Sequence, residues 1–286
     1  MTSLAHLPST TPVSASVPQS PLLQVEALTK RYGSIAGCED VSFELRAGEV
    51  LGIVGESGSG KTTLLNVVSG HLEPTSGSVR FDARRHGLVD VYGLSEPDRR
   101  RMQREDWGFV HQNPRDGLRM RVSGGANVAE PLMNLGRRHY GEMRQATISW
   151  LSRVELDLNR IDHKPRTFSG GMQQRIQIAR NLIHQPRLVF MDEPTGGLDV
   201  SVQARLLDLL RELVRDLNLA VILVTHDMAV ARLMADRLMV MKGGRVVESG
   251  LTDQVLDDPQ HPYSQLLVSS VLQIKVVKNG SSERAG

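Results

Sequence analysis

The chain has 286 residues, with Lys+Arg 34 against Asp+Glu 32 and a formal net charge of +2. Hydrophobic residues make up 40%, charged residues 23% and aromatics 4%, which is the composition of one large globular domain or two small ones and excludes a broadly basic nucleic-acid binder. A single cysteine, Cys38, excludes an internal disulfide and a cysteine-rich metal or iron–sulfur centre, and suits a reducing, cytoplasmic setting.

Residues 1–21 contain twelve Ser, Thr or Pro and no charged residue. Such a segment buries too little apolar surface to offset its ordering entropy, so a disordered tail is expected there. It carries neither the basic start nor the apolar run of a secretory signal. The folded unit is expected over residues 22–272, with a second flexible tail over 273–286. The first strand candidates alternate, Leu23, Val25 and Ala27, then Val41, Phe43 and Leu45. Val50 to Val54 is a short apolar run that feeds a Gly-rich loop, and residues 61–69 read as a helix. Trp107–Val110 reads as a further strand. From about 124 to 184 the pattern is mostly helical. Leu188–Met191 and Ala220–Val224 are again buried-strand candidates, separated by a helical stretch from Val200 to Leu217. The longest apolar run, Leu219 to Val224, has six residues, against about 20 for a membrane-crossing helix. Apolar strands alternating with helices predict an α/β fold whose sheet is mostly parallel and covered on both faces, with a helical subdomain inserted at about 115–184.

Two segments carry chemistry. Gly55-Glu56-Ser57-Gly58-Ser59-Gly60-Lys61-Thr62 fits G-x-x-x-x-G-K-[ST] between a predicted strand and a predicted helix. Its glycines let successive backbone N–H groups point at phosphate oxygens, and the helix that follows adds its positive end. Lys61 reaches the β- and γ-phosphates in this pattern, the Thr62 hydroxyl ligates Mg²⁺, and Thr63 adds an α-phosphate contact. Leu188-Val189-Phe190-Met191-Asp192-Glu193 is an apolar strand ending in two acids. Alone, such a pair is a common surface feature. Downstream of a phosphate loop, Asp192 is placed to hold Mg²⁺ through water and Glu193 to act as general base toward the attacking water.

Phe168-Ser169-Gly170-Gly171-Met172-Gln173-Gln174-Arg175 resembles the signature motif of the ABC ATPases and lies upstream of the acidic strand, in the order of that family. The resemblance covers about residues 22 to 272. It implies a P-loop NTPase fold with an antiparallel N-terminal β subdomain, ATP and Mg²⁺ as cofactors, and a head-to-tail dimer with a second ABC ATPase subunit, self or related. In that dimer Ser169, Gly170 and Gly171 meet ATP held by the partner. It further implies that Tyr32 stacks on adenine, that Gln112 touches Mg²⁺ and senses the γ-phosphate, and that Asp199, in Gly197-Leu198-Asp199, crosses the dimer interface. His226 is implied to contact the γ-phosphate, although a lone histidine is more often structural.

Two branches of the family fit. Asp258-Pro259-Gln260-His261-Pro262-Tyr263 resembles the C-terminal Pro-x-His-Pro-Tyr segment of oligopeptide and nickel importer ATPases, whose partner is a membrane permease. Val110-His111-Gln112, Asn113 to Arg119, Arg137-Arg138-His139-Tyr140-Gly141 and Gly196 to Asp199 resemble instead the ATP-binding subunits of carbon–phosphorus lyase systems, whose partners are soluble core subunits. The second branch is preferred. It makes Arg115, Arg119 and Arg121 candidates for a docking surface. Arg99-Arg100-Arg101 with Arg104 reads as a solvated helix face capped by Ser95, and no nucleic-acid partner is expected. The segment Ala83 to Val91 is longer than either branch leads one to expect.

Overall fold

The computed structural model describes residues 20–269. Residues 1–19 of the tail expected over 1–21, the whole tail expected over 273–286, and the end of the folded unit at 270–272 lie outside the described residues.

Among the described residues these strands and helices follow in chain order: β1 (Leu23–Tyr32), β2 (Ile35–Leu45), β3 (Val50–Val54), α1 (Lys61–Val68), β4 (Ser76–Ala83), β5 (Gly87–Asp90), α2 (Glu96–Asp106), β6 (Trp107–Val110), α3 (Pro114–Gly117), α4 (Gly124–Asn134), α5 (Tyr140–Arg153), α6 (Gly170–Leu182), β7 (Leu188–Asp192), α7 (Val200–Asp216), β8 (Ala220–Val224), α8 (Met228–Met234), β9 (Arg237–Lys242), β10 (Arg245–Leu251) and α9 (Thr252–Asp257). A last helical segment spans 262–269.

The strands form two sheets. One is antiparallel, ordered β2-β1-β4-β5; the other has six strands ordered β10-β9-β3-β8-β7-β6. In the second sheet every pairing is parallel except β10 with β9. The continuous apolar character of β3, β7 and β8 follows from burial on both faces. Leu51, Ile53, Leu188, Phe190, Ile222 and Val224 join a core shared with α1 and the antiparallel sheet. Their alternates, Val50, Val54, Val189, Met191, Val221 and Leu223, join a second core against α6, α7 and α8. The period of two thus assigns each central strand to both cores at once. Helix α7 meets its core along Leu206, Leu209, Leu210 and Leu213, spaced at i, i+3, i+4 and i+7 as one face of a helix requires.

Two departures from the sequence reading have clear causes. Ala27 does not continue the buried face of Leu23 and Val25: the β1–β2 register shifts between Val25 and Leu28, Ala27 takes φ 47°, and Leu28 is buried in its place. The long segment after Ala83 is a hairpin. Its return strand β5 pairs Ala83 with Gly87 and Arg80 with Asp90, adding an edge strand to the antiparallel sheet. Arg84 at its tip reaches the buried Asp106 at 3.0 Å, and Arg85 reaches Glu105 at 2.6 Å.

Candidate active site

Neighbouring parallel strands end together, and this is what assembles the site. Ile53 pairs with Val224, Asp192 with Val224, and Val110 with Met191. The segments that leave the carboxyl ends of β3, β8, β7 and β6 therefore begin side by side, which is where ligands bind in open α/β sheets. Two further backbone bonds fix the edge: Thr225 N–H donates to Ile53 O at 3.1 Å and Glu193 N–H to Val224 O at 2.9 Å.

The loop after β3 needs glycine in at least two places. Gly60 stands at φ 104°, where a Cβ would lie 2.2 Å from Gly37 O; Gly55 stands at φ 150°, where it would lie 2.3 Å from Met241 O. The loop curls directly into α1, whose N-cap is Gly60 with no side-chain capping bond. The first N–H groups of the helix are thereby left to whatever anion sits above them. Lys61 folds back and donates to Gly55 O and Glu56 O, each at 2.8 Å. Burial lowers its pKa, and the charges of Glu193, Asp192 and Glu56 oppose that shift.

Glu193 sits at the centre. Its Oε2 accepts from Gln112 Nε2 at 2.9 Å, and its Oε1 lies 2.9 Å from Nδ1 of His226. A carboxylate only accepts, so this contact requires the imidazole proton on Nδ1. The Glu193 backbone has φ 44°, a left-handed conformation that non-glycine residues seldom adopt and that concentrates at functional sites. Asp192, one residue earlier, has its carboxyl pushed up by burial and by the charge of Glu193, with Lys61 pulling the other way. The Asp192 carboxylate, the Thr62 hydroxyl and the Gln112 amide oxygen are hard oxygen donors. That set fits Mg²⁺ shared with phosphate oxygens.

The structure brings one group of the expected residues into a single groove: Tyr32, Gly55 to Gly58, Gly60 to Thr63, Gln112, Glu193 and His226 line it together. Ser59 lies beneath, with a buried Oγ that has no hydrogen-bond partner. Tyr32 is half exposed, with a face free of the core. A second group stands apart from this groove. Ser169 is the N-cap of α6, accepting from Met172 N–H at 3.4 Å; Ser169 and Gly170 are exposed, while Gly171 packs against Val202. Asp199 occupies the N-cap position of α7 without making a capping bond.

Sequence reasoning missed three features. Ile35, Ala36 and Leu267 also line the groove. Gln177 of α6, fully buried, holds the backbone just before Gln112: its Oε1 accepts from His111 N–H at 2.6 Å and its Nε2 donates to His111 O at 3.2 Å. Tyr263 accepts from Glu56 N–H at 3.0 Å. A polar residue on the apolar stripe of α6 was the available signal for Gln177. Nothing local in sequence links Tyr263 to a loop 207 positions away. Arg115, Arg119 and Arg121 are exposed, and Arg119 pairs with Glu130 at 3.2 Å. Of the α2 arginines, Arg100 pairs with Glu96 and Arg101 with Glu105 on their own helix, and Arg99 reaches Glu73 at 4.0 Å.

A glycine-rich phosphate loop feeding a helix, an acidic strand tip beside it and a histidine on the next strand end define a P-loop ATPase of the ATP-binding cassette class. The chain belongs to the ABC transporter family, whose model matches residues 38–196, and it is an ATPase of that class. It is 65% identical, over 88% of its own length and 98% of the relative's, to the putative phosphonates utilization ATP-binding protein PhnK of Escherichia coli (strain K12). It is 38% identical, over 85% of its length and 73% of the relative's, to the di/tripeptide transport ATP-binding protein DppF of Pseudomonas aeruginosa (strain UCBPP-PA14). Among solved structures it resembles the ATP-binding cassette MJ0796, seen as a dimer in a post-hydrolysis state bound to ADP and Pi, with a TM-score of 0.72, 31% identity and coverage of 80% of this chain and 98% of that one. It also resembles cbiO1 of Clostridium perfringens, part of the ABC transporter complex cbiONQ, with a TM-score of 0.74, 29% identity and coverage of 84% and 92%.

Proposed function

We propose that this chain is the ATP-binding and ATP-hydrolysing subunit of a carbon–phosphorus lyase complex for phosphonate degradation, working as a head-to-tail dimer. The observation that carries the hydrolytic part is the position of Glu193 between Gln112 and His226 at the mouth of the phosphate loop. The 65% identity to a protein named for phosphonate utilization, over nearly that protein's whole length, supports the choice of system.

In this reading the N–H groups of Gly58 to Thr62 bind the phosphates and Lys61 leaves its loop carbonyls to neutralise the β- and γ-phosphates. Tyr32 stacks on the adenine. Glu193 accepts the proton of the attacking water, and Gln112 and His226 hold its carboxylate in place until the γ-phosphate draws them toward itself. Thr62, Asp192 and Gln112 would hold Mg²⁺, which supplies positive charge that offsets the negative charge on the phosphates. A single chain leaves Ser169, Gly170, Gly171 and Asp199 outside the groove. An opposed second subunit, self or related, gives Ser169, Gly170 and Gly171 a γ-phosphate to meet and Asp199 an interface to cross, and this supports the dimer.

A second reading has its own support. The 38% identity to peptide import ATP-binding proteins and the His261-Pro262-Tyr263 segment favour a subunit bound to a membrane permease. The deciding experiment is a pull-down of tagged Glu193→Gln protein with ATP, from its own host grown on phosphonate. Soluble phosphonate-lyase subunits in the eluate are the expected outcome. Integral membrane permeases in their place would move the chain to the importer branch and leave the ATPase assignment intact.

A further inference from the structure

The phosphate loop is restrained from outside the motif at two points. On one side Gly244, in the β9–β10 turn, donates its N–H to Ser59 O at 2.9 Å. On the other, the Tyr263 hydroxyl takes the N–H of Glu56 at 3.0 Å. Tyr263 is 4% exposed and does not slide freely: Lys242 Nζ lies 4.6 Å from its ring centroid. The segment that delivers it is itself anchored. Glu248 of β10 accepts from Gln260 N–H at 2.8 Å and from His261 N–H at 3.1 Å, and Nδ1 of His261 accepts from Tyr263 N–H at 3.1 Å. One turn on, Leu267 reaches the wall of the groove.

We propose that Tyr263 is a positioning residue for nucleotide binding, acting through the Glu56 peptide. Glu56 is the first loop residue after Gly55. Taking its N–H outward sets the plane of that peptide and hence the direction in which the N–H groups of the following residues leave the chain. Those groups turn toward the groove before any nucleotide arrives, so the loop does not lose that freedom on binding. The segment 260–267 is then a strap, tied at Glu248 and fastened to the loop at Tyr263. The inference rests on the reading of the groove as an ATP site.

The test is steady-state ATPase kinetics and ATP titration on the full chain, unmodified and as Tyr263→Phe. The substitution keeps the ring and the Lys242 contact and removes one hydrogen bond, so the KM and Kd for ATP are expected to rise about two- to tenfold. The kcat should stay within about twofold, because the lost contact contributes equally to ground state and transition state; the Tm should fall by only a few degrees, as the loss of one part-buried hydrogen bond predicts. Glu248→Gln should raise KM by a smaller factor, and the double variant should sit at the Tyr263→Phe value, since the anchor acts only through the tyrosine. Leu266→Ala, an exposed change on the same strap, should leave all three constants alone. An unchanged KM in Tyr263→Phe overturns the inference. So does a fall in kcat together with Tm at constant KM, which would make the tyrosine a packing residue only. Failure of the unmodified chain to bind ATP would overturn both this inference and the nucleotide reading beneath it; failure of Tyr263→Phe alone overturns only this one.

Discussion

Glu193 and Asp192 share a strand tip and carry opposite assignments, and each has its own test. Glu193→Gln preserves shape, retains the contacts of an amide and removes the carboxylate proposed as the base. ATP turnover should fall by roughly 10²–10⁴-fold with ATP binding retained, as measured by single-turnover hydrolysis beside an ATP titration. Turnover near the unmodified rate would assign the base elsewhere. For Asp192 the sign of the pKa shift gives a stability prediction. Its carboxyl is raised by burial and by Glu193. Between the ordinary carboxylate value and the raised one, the folded state binds a proton that the unfolded state has released, so stability falls as pH rises through that window and stays reduced above it. Asp192→Asn removes this cost. The nucleotide-free protein should then melt roughly 2–4 °C higher at neutral pH, with a flatter pH profile, while Mg²⁺-dependent ATPase activity is lost. A lower Tm would mean that the aspartate stabilises the empty fold. Lys61→Ala should raise the Kd for ATP by about tenfold or more; unchanged affinity would remove Lys61 from phosphate binding.

Among the elements, α6 links the signature motif to the loop that carries Gln112. Gln177 supplies the link by satisfying both backbone groups of His111, and Gln174 adds a bond from its Nε2 to the same carbonyl at 3.3 Å. Gln177→Leu keeps the volume and leaves His111 N–H without its partner. A stability loss of about 1–3 kcal/mol in urea unfolding is expected, with a reduced kcat because Gln112 loses its fixed base. Stability equal to that of the unmodified chain would show the clamp to be dispensable. The central strands were readable because β3, β7 and β8 are continuous apolar runs bounded by turn residues. The β4–β5 hairpin was not. Its short return strand, Gly87–Asp90, has no buried face of its own, and its tip reads Arg84-Arg85-His86, a surface loop in every local respect. It is placed by the short hairpin pairing with β4, from Ala83 with Gly87 to Arg80 with Asp90, and by the buried Asp106 beneath Arg84, 22 positions away and the non-local part of its support.

For the whole molecule, the groove and the α6 N-terminus are separate in one chain, so complete catalysis on this reading needs two. Glu193→Gln with ATP should double in hydrodynamic mass, and Ser169→Arg should block that doubling while leaving ATP binding to the single chain unchanged. Sedimentation of the two variants with and without ATP checks both. A monomer at saturating ATP in Glu193→Gln would contradict the self-paired form of the dimer and leave a related subunit as the partner.

Local patterns sufficed for the phosphate loop, the acidic strand tip and the signature helix. Their chemistry needs particular residue types at short fixed spacings, and spacing is what a sequence records. The Glu193–His226 and Glu193–Gln112 contacts, the Gln177 clamp and the Tyr263 restraint join segments 33, 81, 66 and 207 positions apart. They arise because parallel strand register sets which strand ends meet and because packing turns α6 and the C-terminal strap toward them. No local pattern of residues encodes those distances.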